Sequence, residues 1–217
     1  MHLLIIRHAE PDYELDSITE EGRNQAEKLG ERLAKLKIDD IYVSTAGRAQ
    51  KTAAPTLRRL GKKPQILWWL RELEIEGYPW GKPHNKYIKS GRFGTVHDWK
   101  EGYFAGEDTA RVYKMVAQKL DLLLAEYGYH RENNLYRVED PQDDMVAIFC
   151  HSATTRALLA HLLHWSLPLA FANISTPVTG VAWVEFPARD GEAIPRLKLF
   201  GDVSHLGDNL KQFSQKS

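Results

Sequence analysis

Uninterrupted apolar runs mark the predicted β-strands. The clearest are residues 3–6 (Leu-Leu-Ile-Ile) and residues 145–150 (Met-Val-Ala-Ile-Phe-Cys). A strand that is covered on both faces is apolar at successive positions, whereas a half-exposed strand alternates, so both runs predict buried strands. Shorter apolar segments predict four further strands, at residues 41–43, 66–70, 181–186 and 197–200.

Between these runs the apolar residues recur every three or four positions, which is the spacing of one helix face. The first such segment covers residues 19–37, where Thr19 is a candidate N-cap. The same spacing predicts further helices, at residues 44–60 (after an initial loop), 109–127 and 153–165. Strands that alternate with helices indicate an α/β fold, a three-layer sandwich with a mainly parallel central sheet flanked by helices.

Two segments follow neither period. Residues 74–106 are rich in glycine and aromatic side chains, and we interpret them as a lid inserted into a single domain that spans residues 1–217. Residues 130–144 are polar and contain Pro141, and they are predicted to form a loop.

Composition and charge exclude several classes of protein. The chain has 217 residues, with 29 Lys+Arg against 29 Asp+Glu and a pI near 7.1, so nothing indicates a nucleic-acid or anionic-membrane partner. One cysteine excludes an internal disulfide and a multi-cysteine metal site. The apolar start, residues 3–6, is too short for a signal peptide or a membrane span, so we expect a cytoplasmic protein.

Polar side chains that can bind anions or take part in catalysis follow the two buried strands. Arg7 and His8 come after the first strand, and His151 comes after the second. Parallel strands present their carboxyl ends at one edge of the sheet, where ligands bind, so we expect both histidines to meet there. With Arg48 and Glu72 they form a candidate site for a tetrahedral anion, because guanidinium groups bind phosphate oxygens. A phosphate-cradling GxxxxGK[ST] loop is absent from the sequence.

Four blocks, in this order, carry a family resemblance. They are Arg7-His8, the block Ser-Thr-Ala-Gly-Arg-Ala-Gln-Lys-Thr-Ala at residues 44–53, Leu-Arg-Glu at residues 70–72, and His-Ser-Ala-Thr-Thr-Arg-Ala-Leu-Leu at residues 151–159. With them the chain resembles the histidine phosphatase superfamily, the phosphoglycerate mutase-like proteins, over residues 1 to about 186. One block alone is a weak signal, whereas four in order are specific.

The resemblance implies a mechanism. His8 is the nucleophile and becomes phosphohistidine, while Arg7, Arg48 and His151 bind the phosphoryl group. Glu72 protonates the leaving oxygen and then activates water. The implied activity is that of a metal-independent phosphomonoesterase, of the histidine acid-phosphatase type, with no cofactor and with a small phosphorylated metabolite as substrate.

Departures from the family pattern leave details open. Ala9 stands where many members have glycine, and Ser152-Ala153 replaces a frequent Gly-Gly pair. The acid segment also contains Glu74 and Glu76, either of which could take the role given to Glu72.

Other functions also remain open. A phosphoglycerate mutase is the rival within the family, and a non-catalytic phospho-ligand binder is a rival outside enzymes. Cys150 begins a C-x5-R pattern that ends at Arg156, the signature of cysteine-dependent phosphatases, although a buried cysteine is the preferred interpretation. The sequence leaves the oligomeric state open, a homodimer included.

Overall fold

The computed structural model describes residues 1–73 and 107–207. Within these ranges the strands are, in chain order, β1 (His2–Arg7), β2 (Pro11–Asp12), β3 (Ser17–Ile18), β4 (Asp40–Ser44), β5 (Gln65–Leu67), β6 (Tyr129–Glu132), β7 (Leu135–Val138), β8 (Met145–Cys150), β9 (Val181–Glu185), β10 (Ala188–Arg189), β11 (Glu192–Ala193) and β12 (Arg196–Asp202). The helices are α1 (Glu20–Leu33), α2 (Gly47–Leu60), α3 (Glu107–Ala125), α4 (Ser152–Leu163) and α5 (Leu167–Asn173), with 3-10 turns at Trp68–Leu70 and Ser204–Leu206.

The central sheet has the strand order β12-β9-β1-β8-β4-β5. The strands β1, β8, β4 and β5 are parallel to one another, and β9 is antiparallel to both of its neighbours, β1 and β12. The predicted, mainly parallel sheet is therefore confirmed. The two strands with the longest apolar runs, β1 and β8, lie side by side in the middle of it.

Burial on both faces explains those apolar runs. In β1, Leu3 and Ile5 point into one core, whereas Leu4 and Ile6 point into another on the opposite face. The helices α1 and α2 cover the second core, and α3 and α4 cover the first. Successive side chains of a strand point to opposite faces, so a strand between two helical layers must be apolar throughout. The three-layer sandwich follows from this arrangement.

The structure corrects the prediction for residues 130–144. They contribute to two strands, β6 and β7, which pair as an antiparallel hairpin and join β10 and β11 in a second sheet. Tyr129 and Tyr136 lie on its buried side, and both rings contact Phe186 edge-on, at centroid distances of 5.6 and 5.5 Å.

Two smaller differences concern β5 and α5. The predicted strand at residues 66–70 is shorter, since β5 ends at Leu67 and a 3-10 turn follows. The helix α5 was absent from the sequence prediction.

The predicted lid, residues 74–106, lies outside the described residues. Among the described helices, none combines the length and apolar character needed to cross a bilayer.

Candidate active site

The site lies at the carboxyl edge of the central sheet, where β1 and β8 end in register. Arg7 pairs with Cys150 in the ladder, and the backbone N–H of His8 donates to the Cys150 carbonyl over 2.9 Å. The residues that follow this last pair, His8 and His151, therefore lie side by side. The rings of His8 and His151 have a centroid distance of 5.2 Å and an interplanar angle of 61°.

The hydrogen bonds of His8 define its tautomer. Its Nδ1 lies 2.7 Å from the carbonyl oxygen of Ala9, and a carbonyl can only accept, so Nδ1 carries the proton. The other nitrogen, Nε2, is buried and has no hydrogen-bond partner among the described residues. Burial, with a contribution from Arg7 and Arg48, lowers the pKa of His8 to about 3. The ring is therefore neutral at physiological pH, with a free lone pair on Nε2.

His151 is held from the other side. Its Nε2 lies 2.8 Å from Ser44 Oγ, which itself accepts from the backbone N–H of Ala46 over 3.2 Å. We assign the Ser44 hydroxyl as donor to Nε2, which places an N–H on Nδ1. That Nδ1 is buried and unpaired within the described chain. Burial, and then the proximity of His8, lowers the pKa of His151 to about 2.

Two arginines are each held by one terminal nitrogen. Arg7 NH1 donates to the Thr176 carbonyl over 2.5 Å, and Arg48 NH1 donates to Asp16 Oδ1 over 2.7 Å. The Nε atoms of both arginines are buried without a hydrogen-bond partner in the part of the chain that the structure describes. A guanidinium has five donors in a planar fork, so both groups keep an N–H edge that can bind an anion.

Glu72 lies at the N-terminus of α4. Its Oε1 accepts from the backbone N–H groups of Ala153 and Thr154, over 2.8 and 3.3 Å. Burial raises the pKa of Glu72, although these bonds and the nearby arginines oppose the shift. A raised pKa favours a proton donor. The alternative acids, Glu74 and Glu76, lie outside the described residues.

Three potential metal ligands converge here. One side-chain ligand atom each from His8, Glu72 and His151 lies within 4.8 Å of the others. The surroundings favour an anion instead, because Arg7 and Arg48 act electrostatically on both histidines, and each guanidinium keeps a buried Nε–H without a partner among the described residues. A divalent cation would meet strong repulsion beside two guanidinium groups.

Several supporting residues were missed by the sequence analysis. Thr52 accepts from the Ala9 backbone N–H over 2.9 Å and donates to the Arg48 carbonyl over 2.7 Å, so it joins α2 to the residue after His8. Thr179 donates its backbone N–H to the His8 carbonyl over 3.2 Å. Ser44 and Thr52 lie within the recognised block at residues 44–53, which was a usable signal.

The structure argues against a nucleophilic Cys150. Its side chain is fully buried and belongs to the core cluster between the sheet and α4, on the side of Ile148 rather than at the site. Burial raises the pKa of the thiol to about 12, so the reactive thiolate is absent at neutral pH. The Sγ atom lies 3.5 Å from Thr155 Oγ1, a contact within the core.

Comparison with known proteins agrees with this geometry. The family model for the histidine phosphatase superfamily (branch 1) matches residues 3–196. The chain belongs to this superfamily. A superfamily relative is the 2,3-bisphosphoglycerate-dependent phosphoglycerate mutase of Bartonella bacilliformis, 25% identical over 170 residues, which are 72% of this chain and 79% of the relative.

Solved structures of other proteins share the fold. A mycobacterial glucosyl-3-phosphoglycerate phosphatase is 23% identical with a TM-score of 0.65, over 92% of this chain and 98% of that chain. A phosphoserine phosphatase from Entamoeba histolytica, solved with 3-phosphoglyceric acid, is also 23% identical, with a TM-score of 0.63 over 94% and 98% of the two chains. At these identities the likeness concerns the fold.

Proposed function

We propose that this superfamily member is a metal-independent phosphomonoesterase of the histidine acid-phosphatase type, which acts on a small phosphorylated metabolite through a phosphohistidine on His8. The observation that carries the proposal is the state of the His8 ring. Its Nδ1 proton is fixed on the Ala9 carbonyl, and its Nε2 lone pair is free and buried beside two arginines.

Binding of the phosphoryl group uses the unpaired donors around Nε2. The open edges of Arg7 and Arg48 and the Nδ1–H of His151 supply hydrogen bonds to its oxygens. These donors are already oriented by Thr176, Asp16 and Ser44, so little reorganisation accompanies the development of charge in the transition state.

Two displacements complete the reaction. His8 Nε2 attacks phosphorus, the bond from phosphorus to the ester oxygen breaks, and Glu72 gives its proton to that oxygen. Water then attacks the phosphohistidine, Glu72 takes a proton from the water, and the bond between nitrogen and phosphorus breaks. The net change is ester plus water to alcohol plus inorganic phosphate, with His8 and Glu72 restored.

The second candidate is phosphoryl transfer of the mutase type, which the similarity to a phosphoglycerate mutase favours. A mutase uses the same phosphohistidine but must exclude water while the intermediate changes position. The solved relatives named for phosphatases act on phosphorylated small molecules, which supports hydrolysis and a substrate of that class. A non-catalytic phospho-ligand binder would need neither an unprotonated, unpaired Nε2 on His8 nor a proton donor at Glu72.

The deciding experiment follows aryl phosphate hydrolysis by the wild type, His8→Ala and Cys150→Ser, each with and without a chelator. We expect wild-type turnover that the chelator leaves unchanged, loss of about 10⁴-fold or more in His8→Ala, and near-normal turnover in Cys150→Ser. Quenching of the wild type in alkaline detergent should trap a base-stable, acid-labile phosphate that His8→Ala lacks.

Other outcomes would redirect the assignment. Loss of turnover only in Cys150→Ser would favour the thiol mechanism, and loss with the chelator would favour a metal. An inert wild type that nevertheless forms the trapped phosphate would favour the mutase, and interconversion of phosphoglycerates should then be assayed.

A further inference from the structure

We propose that Asp16 is a positioning residue for the phosphoryl-binding Arg48, which it holds so that one edge of the guanidinium faces the anion. The inference rests on the proposed function, since it concerns the same site. Asp16 does not contact the reacting atoms, and its effect on the reaction passes through Arg48.

The carboxylate of Asp16 binds two consecutive residues of α2. Its Oδ1 accepts from Arg48 NH1 over 2.7 Å, and its Oδ2 accepts from the Gly47 backbone N–H over 2.7 Å. The N-cap residue of α2, Ala46, has no side chain that can cap the helix. Asp16 therefore supplies the missing cap from a distant part of the chain, and the same group fixes the arginine.

The arrangement leaves the anion-binding edge of Arg48 open. Asp16 uses NH1, whereas Nε is buried and without a hydrogen-bond partner among the described residues. The Arg48 side chain is 16% exposed and that of Asp16 is 51% exposed, so the carboxylate approaches from the solvent side. A group on one edge of a planar fork restricts the rotation of the other edge.

Asp16 is itself held in place by a short hairpin. β2 pairs with β3 in an antiparallel manner, and the connecting turn ends at Asp16, whose φ of 42° lies in the left-handed region. Aspartate adopts this region more readily than most residues, because its short side chain bonds to nearby backbone groups.

Helix α2 approaches that turn at Gly47. A Cβ at Gly47 would lie 2.1 Å from the Asp16 carbonyl oxygen, so the close approach requires glycine. The ring of Tyr13, from the same turn, lies 5.5 Å from Arg48 Cζ. The turn between β2 and β3 and the start of α2 therefore pack closely against each other around the Arg48 guanidinium.

In the opposite interpretation, the Asp16 carboxylate competes with the anion for Arg48 and stays bound to the guanidinium until the anion displaces it. The two interpretations differ in sign. Removal of a positioning residue weakens anion binding, whereas removal of a competitor strengthens it. The open Nε edge favours positioning, because the anion can bind without displacing Asp16.

The test measures vanadate affinity by calorimetry, together with KM and kcat for an aryl phosphate. The variants are Asp16→Ala, Asp16→Asn, Arg48→Ala and the double variant. We expect Asp16→Ala to weaken vanadate binding about tenfold, the range of one hydrogen bond to a charged group, and Asn to rescue part of the loss. In the Arg48→Ala background the Asp16→Ala change should have no further effect, because the two act as one unit.

Glu14→Gln is the matched control, since it removes the same charge from the same turn and should leave vanadate affinity unchanged. Additive losses in the double variant, or tighter binding in Asp16→Ala, would overturn positioning. The wild-type result separates the two proposals. A wild type that binds vanadate but does not hydrolyse esters contradicts the proposed function alone, whereas normal affinity in Asp16→Ala contradicts this inference alone.

Discussion

A histidine that attacks phosphorus must keep one ring nitrogen unprotonated, and the burial of His8 meets that requirement. Its side chain is inaccessible to solvent, and Arg7 and Arg48 further disfavour an imidazolium. The Ala9 carbonyl then selects which nitrogen is free. A buried, neutral histidine is a common structural feature, so the free Nε2 beside the arginines is what distinguishes this one.

At the same scale, Glu72 offers a prediction about leaving groups. Glu72→Gln keeps an oxygen that can accept from Ala153 and Thr154, so α4 keeps its cap, but it removes the acid. We expect kcat/KM for an alkyl phosphate, which covers the steps up to release of the alcohol, to fall by about 10²–10⁴-fold, because a poor leaving group needs the proton. The loss should be much smaller for a nitrophenyl ester, which leaves without it.

The comparison of the two substrates is the control for Glu72. Equal losses on alkyl and nitrophenyl esters would contradict the acid role and direct attention to Glu74 or Glu76. Thermal unfolding of Glu72→Gln should match the wild type, because the capping oxygen remains.

Arg48→Lys provides the second residue-scale prediction. Lysine keeps the charge but lacks the planar fork, so it cannot bind Asp16 on one edge and an anion on the other. We expect vanadate affinity to fall about tenfold or more, close to the loss in Arg48→Ala. Arg58→Lys, which alters an exposed arginine paired with Glu27, is the matched control. Wild-type affinity in Arg48→Lys would show that charge alone suffices.

At the scale of elements, the start of α1 packs closely against the chain that follows His8. A Cβ at Gly22 would lie 2.4 Å from the Glu10 carbonyl oxygen and 2.9 Å from Ile18 Cβ. We therefore expect Gly22→Ala to lower the free energy of unfolding by about 1–3 kcal/mol, despite the higher helix propensity of alanine. Urea denaturation measures the change.

The control for Gly22 lies in the same turn of α1. Asn24 is exposed, so Asn24→Ala meets no neighbour and should leave stability unchanged or slightly higher. Equal stability of Gly22→Ala and Asn24→Ala would mean that the chain at Glu10 can move aside without cost.

Elements differed in how well the sequence predicted them. β1 and β8 were predicted because both faces are buried, which leaves an unmistakable apolar run. β6 and β7 were missed because their exposed positions carry charged and polar side chains, such as His130 and Arg137. The turn between them contains Asn133, with φ of 54°, and an Asn-Asn pair was the available signal.

In the candidate site, too, some residues could be placed from the sequence and others could not. His8 and His151 could be placed together from the sequence, because each follows a strand of one parallel sheet. Asp16, Thr176 and Thr179 could not, because they lie in turns and loops whose positions depend on tertiary packing rather than on any local period. Short-range pattern therefore predicted that His8 and His151 lie together, and the structure was needed for the residues that hold the site.

For the whole molecule, buried histidines predict acid sensitivity. Burial lowers the pKa values of His8, His151 and His205 from 6.5 to about 3, 2 and 4. Below pH 6.5 the unfolded chain binds protons that the native chain does not, so stability is complete above that pH and falls as the pH decreases. The free energy of unfolding should fall by up to about 1.4 kcal/mol per pH unit for each histidine.

Urea denaturation at a series of pH values from about 7 to 5 measures this slope. Glu72 acts in the opposite direction, because a carboxyl whose pKa is raised in the native state binds its proton more tightly there. His205→Gln is the control variant, since it removes one of the three groups and should make the slope shallower. A stability that stays constant down to about pH 5 would contradict the buried, neutral histidines.

The register of β1 and β8 places His8 beside His151. Neighbouring strands lie about 4.8 Å apart, and the two ring centroids lie 5.2 Å apart, close to the main-chain spacing. Under the proposed function, substitutions in the surrounding turns change how firmly an anion is held but leave these two central strands in place. We therefore expect new substrates on this scaffold to differ in the alcohol half of the ester.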